Sequence, residues 1–314
     1  MKDMTYHRFG RTGLRLSRVG LGAGGPSRLG AVRGAGDEDV ESLIRCARDL
    51  GINHIDTARA YGTEPAIGRA LQRLNAGDMM VATKAHCFPG AKDEAPEPPM
   101  DGAGLIAEVE QSLTDLRREH IEIFQFHAVL PAHFDTVIDQ LLPVARRLQQ
   151  QGKIGHIGIT EDPSVDHLQQ MAQAAVNSGH FETLMVQYSI LDQLAEGVTF
   201  AATKQQDVGV FCMSAARAAF TDLNSLHQAL ARHGGVTPAS FEELLDETTT
   251  VADLAFQFAA AQPAIDVVLV GTGRPDHLRS STDAILRLPL AGERLQCLRE
   301  KFGSADGQLL WIDY

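Results

Sequence analysis

The chain predicts a single (β/α)8 barrel over residues 1–314, and three observations carry that expectation. Short apolar runs alternate with longer amphipathic stretches, the pattern of parallel strands joined by right-handed helical crossovers. Eight such runs fit into 314 residues, the size of a closed barrel. The glycine-rich stretch Gly20-Leu21-Gly22-Ala23-Gly24-Gly25 has GxGxxG spacing but does not lead into a helical stretch, as the fingerprint of an open dinucleotide-binding sheet would.

Taken in order, the expected strands cover residues 16–21, 53–56, 79–84, 121–127, 156–160, 184–187, 208–213 and 265–270. Each is a short apolar run bounded by polar or turn residues. Helical period shows in residues 40–50, where Val40, Leu43, Ile44, Ala47 and Leu50 line one stripe. Further helices are expected at 104–116, 137–150, 165–177 and 251–261. Two connections are long. Residues 88–100 carry four prolines and read as an exposed loop after the third barrel strand, and residues 215–250 exceed a bare βα connection and call for short helices. Both leave the end of the barrel where active sites form. The acidic C-terminal tail, 305–314, contains the only tryptophan, Trp311.

Composition narrows the function. Hydrophobic residues make up 44% of the chain and charged residues 22%, ordinary for a globular protein with a large core. A net charge of −12 argues against nucleic acid, whose phosphates require clustered Lys and Arg. Cys46, Cys87, Cys212 and Cys297 match no metal-ligand spacing and read as small core residues, so no metal is expected. The polar N-terminus is unlike a signal peptide, and no run approaches the ~18 apolar residues of a membrane span. A reduced, cytoplasmic setting is expected.

Four polar residues stand where barrel strands end. Asp56 closes GINHID, Lys84 closes MMVATK, His127 closes IEIFQFH, and Tyr61 follows Asp56 in the next loop. Any one of them alone is as readily structural as functional. Together they form a mechanism. A phenol near pKa 10 is a poor acid–base group at neutral pH unless its phenolate is stabilised. An adjacent ammonium such as Lys84, itself held by a carboxylate such as Asp56, does that, and a neutral His127 would orient a substrate carbonyl by hydrogen bonding.

The segments GINHIDTARAYG (51–62), VATKA (81–85), IEIFQFH (121–127), GKIGHIGIT (152–160) and DVVLVGTGRPDHLRSS (266–281) resemble aldo-keto reductase motifs in register, as does the opening YHRFGRTGLRLSRVGLGAGG (6–25). The resemblance spans roughly residues 5–290 and implies a single-domain barrel enzyme. Tyr61 would be its general acid, Lys84 and Asp56 the pair that tunes it, and His127 the substrate-orienting group. It also implies a nicotinamide cofactor at the mouth, with Thr160 and Gln187 near the carboxamide. The family's Ser-Asn pair is here Thr160-Glu161, and its stacking aromatic is replaced by Met213 followed by Ser214. Gly271, Thr272, Gly273 and Arg274 precede a helix whose free N–H groups favour a phosphate, with His277 and Arg279 alongside. The two arginines favour NADP(H), with NAD(H) as the alternative.

Two features, Gly-Ile-Thr at the fifth strand and Arg59-Ala60 before Tyr61, lie closer to the aldose-dehydrogenase branch. A small-molecule carbonyl or sugar is therefore the expected partner. A sugar needs several hydrogen-bonding groups, and His54, Arg59 and His86 neighbour the site in sequence. The alternatives are an NAD-dependent aldose or lactol dehydrogenase and, from another class, a cofactor-binding, redox-sensing regulatory subunit.

Overall fold

In a computed structural model the eight expected strands close into a parallel barrel, and the structure describes residues 3–88, 99–231, 241–245, 249–287 and 290–303. A hairpin, β1 (Tyr6–Arg8) and β2 (Arg15–Ser17), precedes the barrel. The barrel strands are β3 (Val19–Gly22), β4 (His54–Asp56), β5 (Met80–Ala85), β6 (Ile121–Val129), β7 (Ile154–Glu161), β8 (Thr183–Gln187), β9 (Gly209–Met213) and β10 (Val267–Gly271). They run in sequence order around the wall, and β10 closes onto β3.

The run expected as one strand at 16–21 serves two sheets. Residues 15–17 pair antiparallel with β1, whereas Val19 onward joins the barrel. Arg18 marks the change, its backbone N–H donating to Thr5 O at 2.8 Å and its guanidinium to Ala260 O at 2.6 Å. Apolar alternation records that a face is buried, but not against which partner.

Successive strand residues point to opposite sides, and the two sides differ here. Val81, Phe124, Phe126, Leu184, Val186, Val210 and Val268 pack outward into the helix-covered core. Ala82, Ile123, Met185, Phe211 and Val267 form a second cluster, inside the barrel, with Phe9 and Leu16. The hairpin thereby plugs the lower end. Phe9 lies 4.4 Å from Phe211 between ring centroids, and a Cβ on Gly209 would come within 2.8 Å of the Phe9 ring, so that position admits only glycine.

Helices α1 (Asp37–Asp49), α2 (Glu64–Arg73) and α3 (Gly102–Leu116) begin the outer ring. Acidic residues fill the first turn of α1, where they complement the helix dipole, and Asp101 caps α3 by accepting from Gly104 N at 2.8 Å. Two expected helices are corrected. The one placed at 165–177 begins only at Gln170, because the Asp166 carboxylate accepts from the Gln170 and Met171 N–H groups while Gln169 takes φ 52°. The one placed at 137–150 opens as a wide π-turn, Val137–Leu141, before Leu142–Gln150, in keeping with Pro143, which has no N–H for the helical ladder.

The long connection after β9 carries short helices as expected, a 3-10 turn at Ala218–Phe220 and a helix at Leu223–Ala231. Most of the proline-rich segment and the C-terminal tail with Trp311 lie outside the described residues. Among the described residues no helix is long and apolar enough to cross a membrane. Cys46, Cys87 and Cys212 are buried, Cys297 is half-buried, and all four are free thiols.

Candidate active site

The four polar residues singled out at strand ends come together at the upper mouth of the barrel. Asp56 at the end of β4 and Lys84 near the end of β5 are 4% and 1% exposed. Lys84 Nζ donates to Asp56 Oδ2 at 2.6 Å and to Thr57 O at 2.8 Å, and lies 5.2 Å from the centroid of the Tyr61 ring. Tyr61 Oη stands 3.4 Å from His127 Nε2, with the two rings nearly perpendicular at 86°.

Local sequence sets Tyr61 in place. The chain leaves β4 through Thr57 N, which donates to Ala82 O at 2.8 Å, and winds into the 3-10 turn Arg59–Tyr61. Arg59 ties that turn to α3 through Glu108 Oε2 at 2.9 Å and Asp115 Oδ2 at 3.1 Å. On its other side Tyr61 packs on Gly24, where a Cβ would come within 2.4 Å of the ring.

Burial dominates the electrostatics. It pushes the Asp56 carboxyl up, against the pull of the Lys84 ammonium. It also acts to lower Lys84, but the Asp56 charge and Tyr61 outweigh it and hold the ammonium above its usual range. The Tyr61 phenol is raised by burial despite Lys84, so it keeps its proton at neutral pH. Burial, reinforced by Lys84 and His86, drives His127 well below the usual imidazole range, which leaves it neutral, with one N–H to donate and one nitrogen to accept.

The residues expected at the cofactor line the ends of the remaining strands. Thr160 Oγ1 on β7 accepts from Ala128 N at 2.8 Å. Gln187 at the end of β8 donates its Nε2 to Asp192 Oδ2 at 2.7 Å and its backbone N–H to Glu161 Oε1 at 2.6 Å. Burial lifts the Glu161 carboxyl well above the carboxylate range. Met213 ends β9 half-buried, and Ser214 follows in the left-handed region at φ 61°. Gly271 ends β10, Thr272 Oγ1 accepts from Arg274 N at 3.1 Å, and the helix Pro275–Leu286 starts with no side-chain cap. Arg274, His277 and Arg279 are exposed there, Arg274 paired with Asp276. Among the described residues there is no group of three or more His, Cys, Asp or Glu able to hold a metal ion.

The three groups considered for a sugar separate. His54 lies inside the barrel, 2% exposed and 5.9 Å from the Phe211 ring, with its pKa lowered to about 3 by burial. Arg59 faces α3. Only His86 stands exposed at the mouth, its ring 5.1 Å from that of His127.

Gln125 was not among the expected site residues. It is fully buried, pairs in register with Lys84, and neither of its amide atoms has a partner. The strand period of two would have found it, since Gln125 shares the inward face of β6 with His127.

The parallel (β/α)8 barrel brings Asp56, Lys84, Tyr61 and His127 together at the C-terminal ends of its strands. The chain belongs to the aldo/keto reductase family, whose model matches residues 18–301, and family membership makes it an oxidoreductase of carbonyls and alcohols. It is 26% identical to L-galactose dehydrogenase of Arabidopsis thaliana, covering 96% of this chain and 94% of that one. To L-glyceraldehyde 3-phosphate reductase of Escherichia coli K12 it is 27% identical, covering 98% and 95%. Among solved structures, the holo form of an aldo-keto reductase from Bacillus halodurans superposes with a TM-score of 0.72 at 23% identity, covering 95% of this chain and 96% of that one. Members of this family use nicotinamide cofactors.

Proposed function

We propose that the protein transfers hydride between a nicotinamide cofactor and a small carbonyl or alcohol, an aldehyde, ketone or sugar, with Tyr61 as general acid in reduction and general base in oxidation. The observation that carries this reading is the 3.4 Å approach of Tyr61 Oη and His127 Nε2 above a buried Lys84–Asp56 pair. A carbonyl oxygen seated between the two groups receives a hydrogen bond from each. As charge develops on that oxygen, Tyr61 delivers its proton, and Lys84 stabilises the phenolate left behind. Asp56 keeps the ammonium beneath the phenol rather than turned to solvent.

The donor set fits the cofactor. Glu161 Oε2 is a buried polar atom without a partner beside Gln187, and the helix Pro275–Leu286 has an uncapped start suited to phosphate. Thr160 and Gln187 would hold the carboxamide, Met213 and Ser214 would border the ring, and Gly271, Thr272, Gly273, Arg274, His277 and Arg279 would take the phosphates. When bound in reduced form the cofactor supplies the hydride. Arg274 and Arg279 favour NADP(H), with NAD(H) as the alternative. The free thiols are in keeping with a cytoplasmic setting.

A second reading, an NAD-dependent aldose or lactol dehydrogenase, is favoured by the likeness to L-galactose dehydrogenase along nearly the whole chain. It uses the same four residues in the opposite direction. A regulatory subunit draws no support from the relatives, which are reductases and dehydrogenases.

Titration with NADPH and then NADH, followed by fluorescence quench, tests the cofactor reading. Turnover of an aldehyde panel by Tyr61→Phe tests the acid. The variant is expected to bind cofactor as the native protein does and to lose about 10²–10⁴-fold in kcat. Absence of binding at micromolar cofactor would overturn the reading, and full turnover by the variant would remove Tyr61 from it.

A further inference from the structure

We propose that Glu64 is a positioning residue for proton transfer. From the outer side of the barrel wall it ties the loop that carries Tyr61 to the strand that carries Lys84, and so sets the phenol over the ammonium. The inference deepens the proposed function and rests on it. Glu64 opens α2 three residues after Tyr61 and is 1% exposed. Its Oε1 accepts from Thr83 Oγ1 at 2.6 Å, and Thr83 directly precedes Lys84 on β5. Successive strand residues face opposite sides, so Lys84 reaches the mouth while Thr83 points out towards α2. One hydrogen bond thereby links phenol and ammonium through a short piece of loop and a single strand position.

The loop is tied to β5 at both ends. At its start Thr57 N donates to Ala82 O at 2.8 Å. Beyond Tyr61, among the described residues, the hydrogen bond that reaches β5 is the one to Glu64. Thr57 and Thr63, both buried, share a hydrogen bond of 2.9 Å that draws the loop ends together, and Arg59 fastens the outer turn to Glu108 and Asp115 on α3. The second oxygen of Glu64 accepts from Ser112 Oγ on α3 at 3.2 Å. A buried carboxyl is costly, and an apolar side chain of similar volume would serve packing as well. Two acceptor oxygens, in contrast, hold β5 and α3 at fixed lengths. Lys84 Nζ lies 5.2 Å from the centroid of the Tyr61 ring, and a misplacement of about 1 Å at such a site can cost on the order of 10²-fold in rate.

The test sets Thr83→Val against Ser112→Ala in the full chain, with whichever nicotinamide binds. Each removes one buried hydrogen bond to the same carboxyl group, but only Thr83 joins that group to the strand of Lys84. The readouts are the single-turnover rate of aldehyde reduction, cofactor affinity by fluorescence quench, and melting temperature. Thr83→Val is expected to lose about tenfold in rate with cofactor affinity unmoved. Ser112→Ala is expected to lower the melting temperature to a similar extent while its rate stays within about twofold of native. Glu64→Gln keeps an acceptor for Thr83 without the charge and should react close to the native rate, whereas Glu64→Ala should be at least as slow as Thr83→Val. Thr83→Val retains the shape of its side chain, so the comparison does not depend on Glu64→Ala folding. Equal rates in Thr83→Val and Ser112→Ala overturn the inference, because Glu64 would then only hold the elements together. Cofactor affinity that falls with the rate in Thr83→Val also overturns it, as does a Glu64→Gln variant as slow as Glu64→Ala. A native protein that reduces no aldehyde with either nicotinamide overturns the proposed function, and the inference with it.

Discussion

The lower and upper layers of the barrel interior are built from the same strands at positions two residues apart, yet their chemistry is opposite. On β5 Ala82 faces the lower layer and Lys84 the mouth; on β6 Ile123 gives way to Gln125 and His127; on β8 Met185 gives way to Gln187. The lower layer is sealed by Phe9 and Leu16 from the hairpin and gains from burial of apolar surface. The upper layer does the reverse. It buries an ion pair and leaves Asp56 Oδ1, the Gln125 amide, His127 Nδ1 and Glu161 Oε2 without protein partners, an arrangement that costs stability. Unpaired polar groups gathered at the mouth are what a site for a polar ligand requires, and the apolar cluster below offsets them.

The contrast can be broken most forcefully at Lys84. Lys84→Met strands a buried Asp56 carboxylate and is expected to cost ~3–5 kcal/mol in urea unfolding as well as abolishing turnover. Adding Asp56→Asn should restore most of the stability and none of the activity. Equal recovery of both would deny the upper layer its separate role.

Below the mouth, Phe211→Ala removes the ring against which Phe9 packs. A loss of ~3–5 kcal/mol is expected, while turnover persists below the lowered melting temperature. A variant that stays stable but is inactive would show the two layers to be one functional unit.

The smallest effect is in pH. Burial raises the Tyr61 phenol, so its proton is retained to higher pH than in an exposed tyrosine. Reduction should therefore hold level through neutral pH and decline only above the ordinary phenol value of about 10. Oxidation needs the deprotonated form and should climb with pH towards the same region. Since burial keeps His127 neutral, it adds no break near neutrality. A fall in reduction centred near pH 7 would assign the acid to another group.

Asp56, Lys84 and His127 were legible as a cluster because barrel strands all present their C-terminal ends at one mouth, so residues that close separate strands must converge. Tyr61 was legible through its place in the loop that leaves one of those ends. Gln125 was legible in principle, two residues before His127 on one strand, but an amide inside an apolar run carries no chemical signal of its own. His54, Arg59 and His86 were equivalent in sequence, each a polar residue near Tyr61 or Lys84. Packing separated them: a neighbour at Phe211 took His54 into the interior, and Glu108 and Asp115 on α3 took Arg59 outward.

The sequence by itself determined the barrel class, the order of its elements and the four residues at its mouth. Strand and helix periods are local, and their alternation leaves few topologies open. Only the tertiary structure decided that residues 16–18 and 19–22 serve different sheets, that a helix waits for Asp166 to cap it at Gln170, and that His86 alone of the three candidates overlooks His127. Each of these depends on a partner distant in sequence, and a local pattern shows that a side chain is to be buried or paired without showing by what.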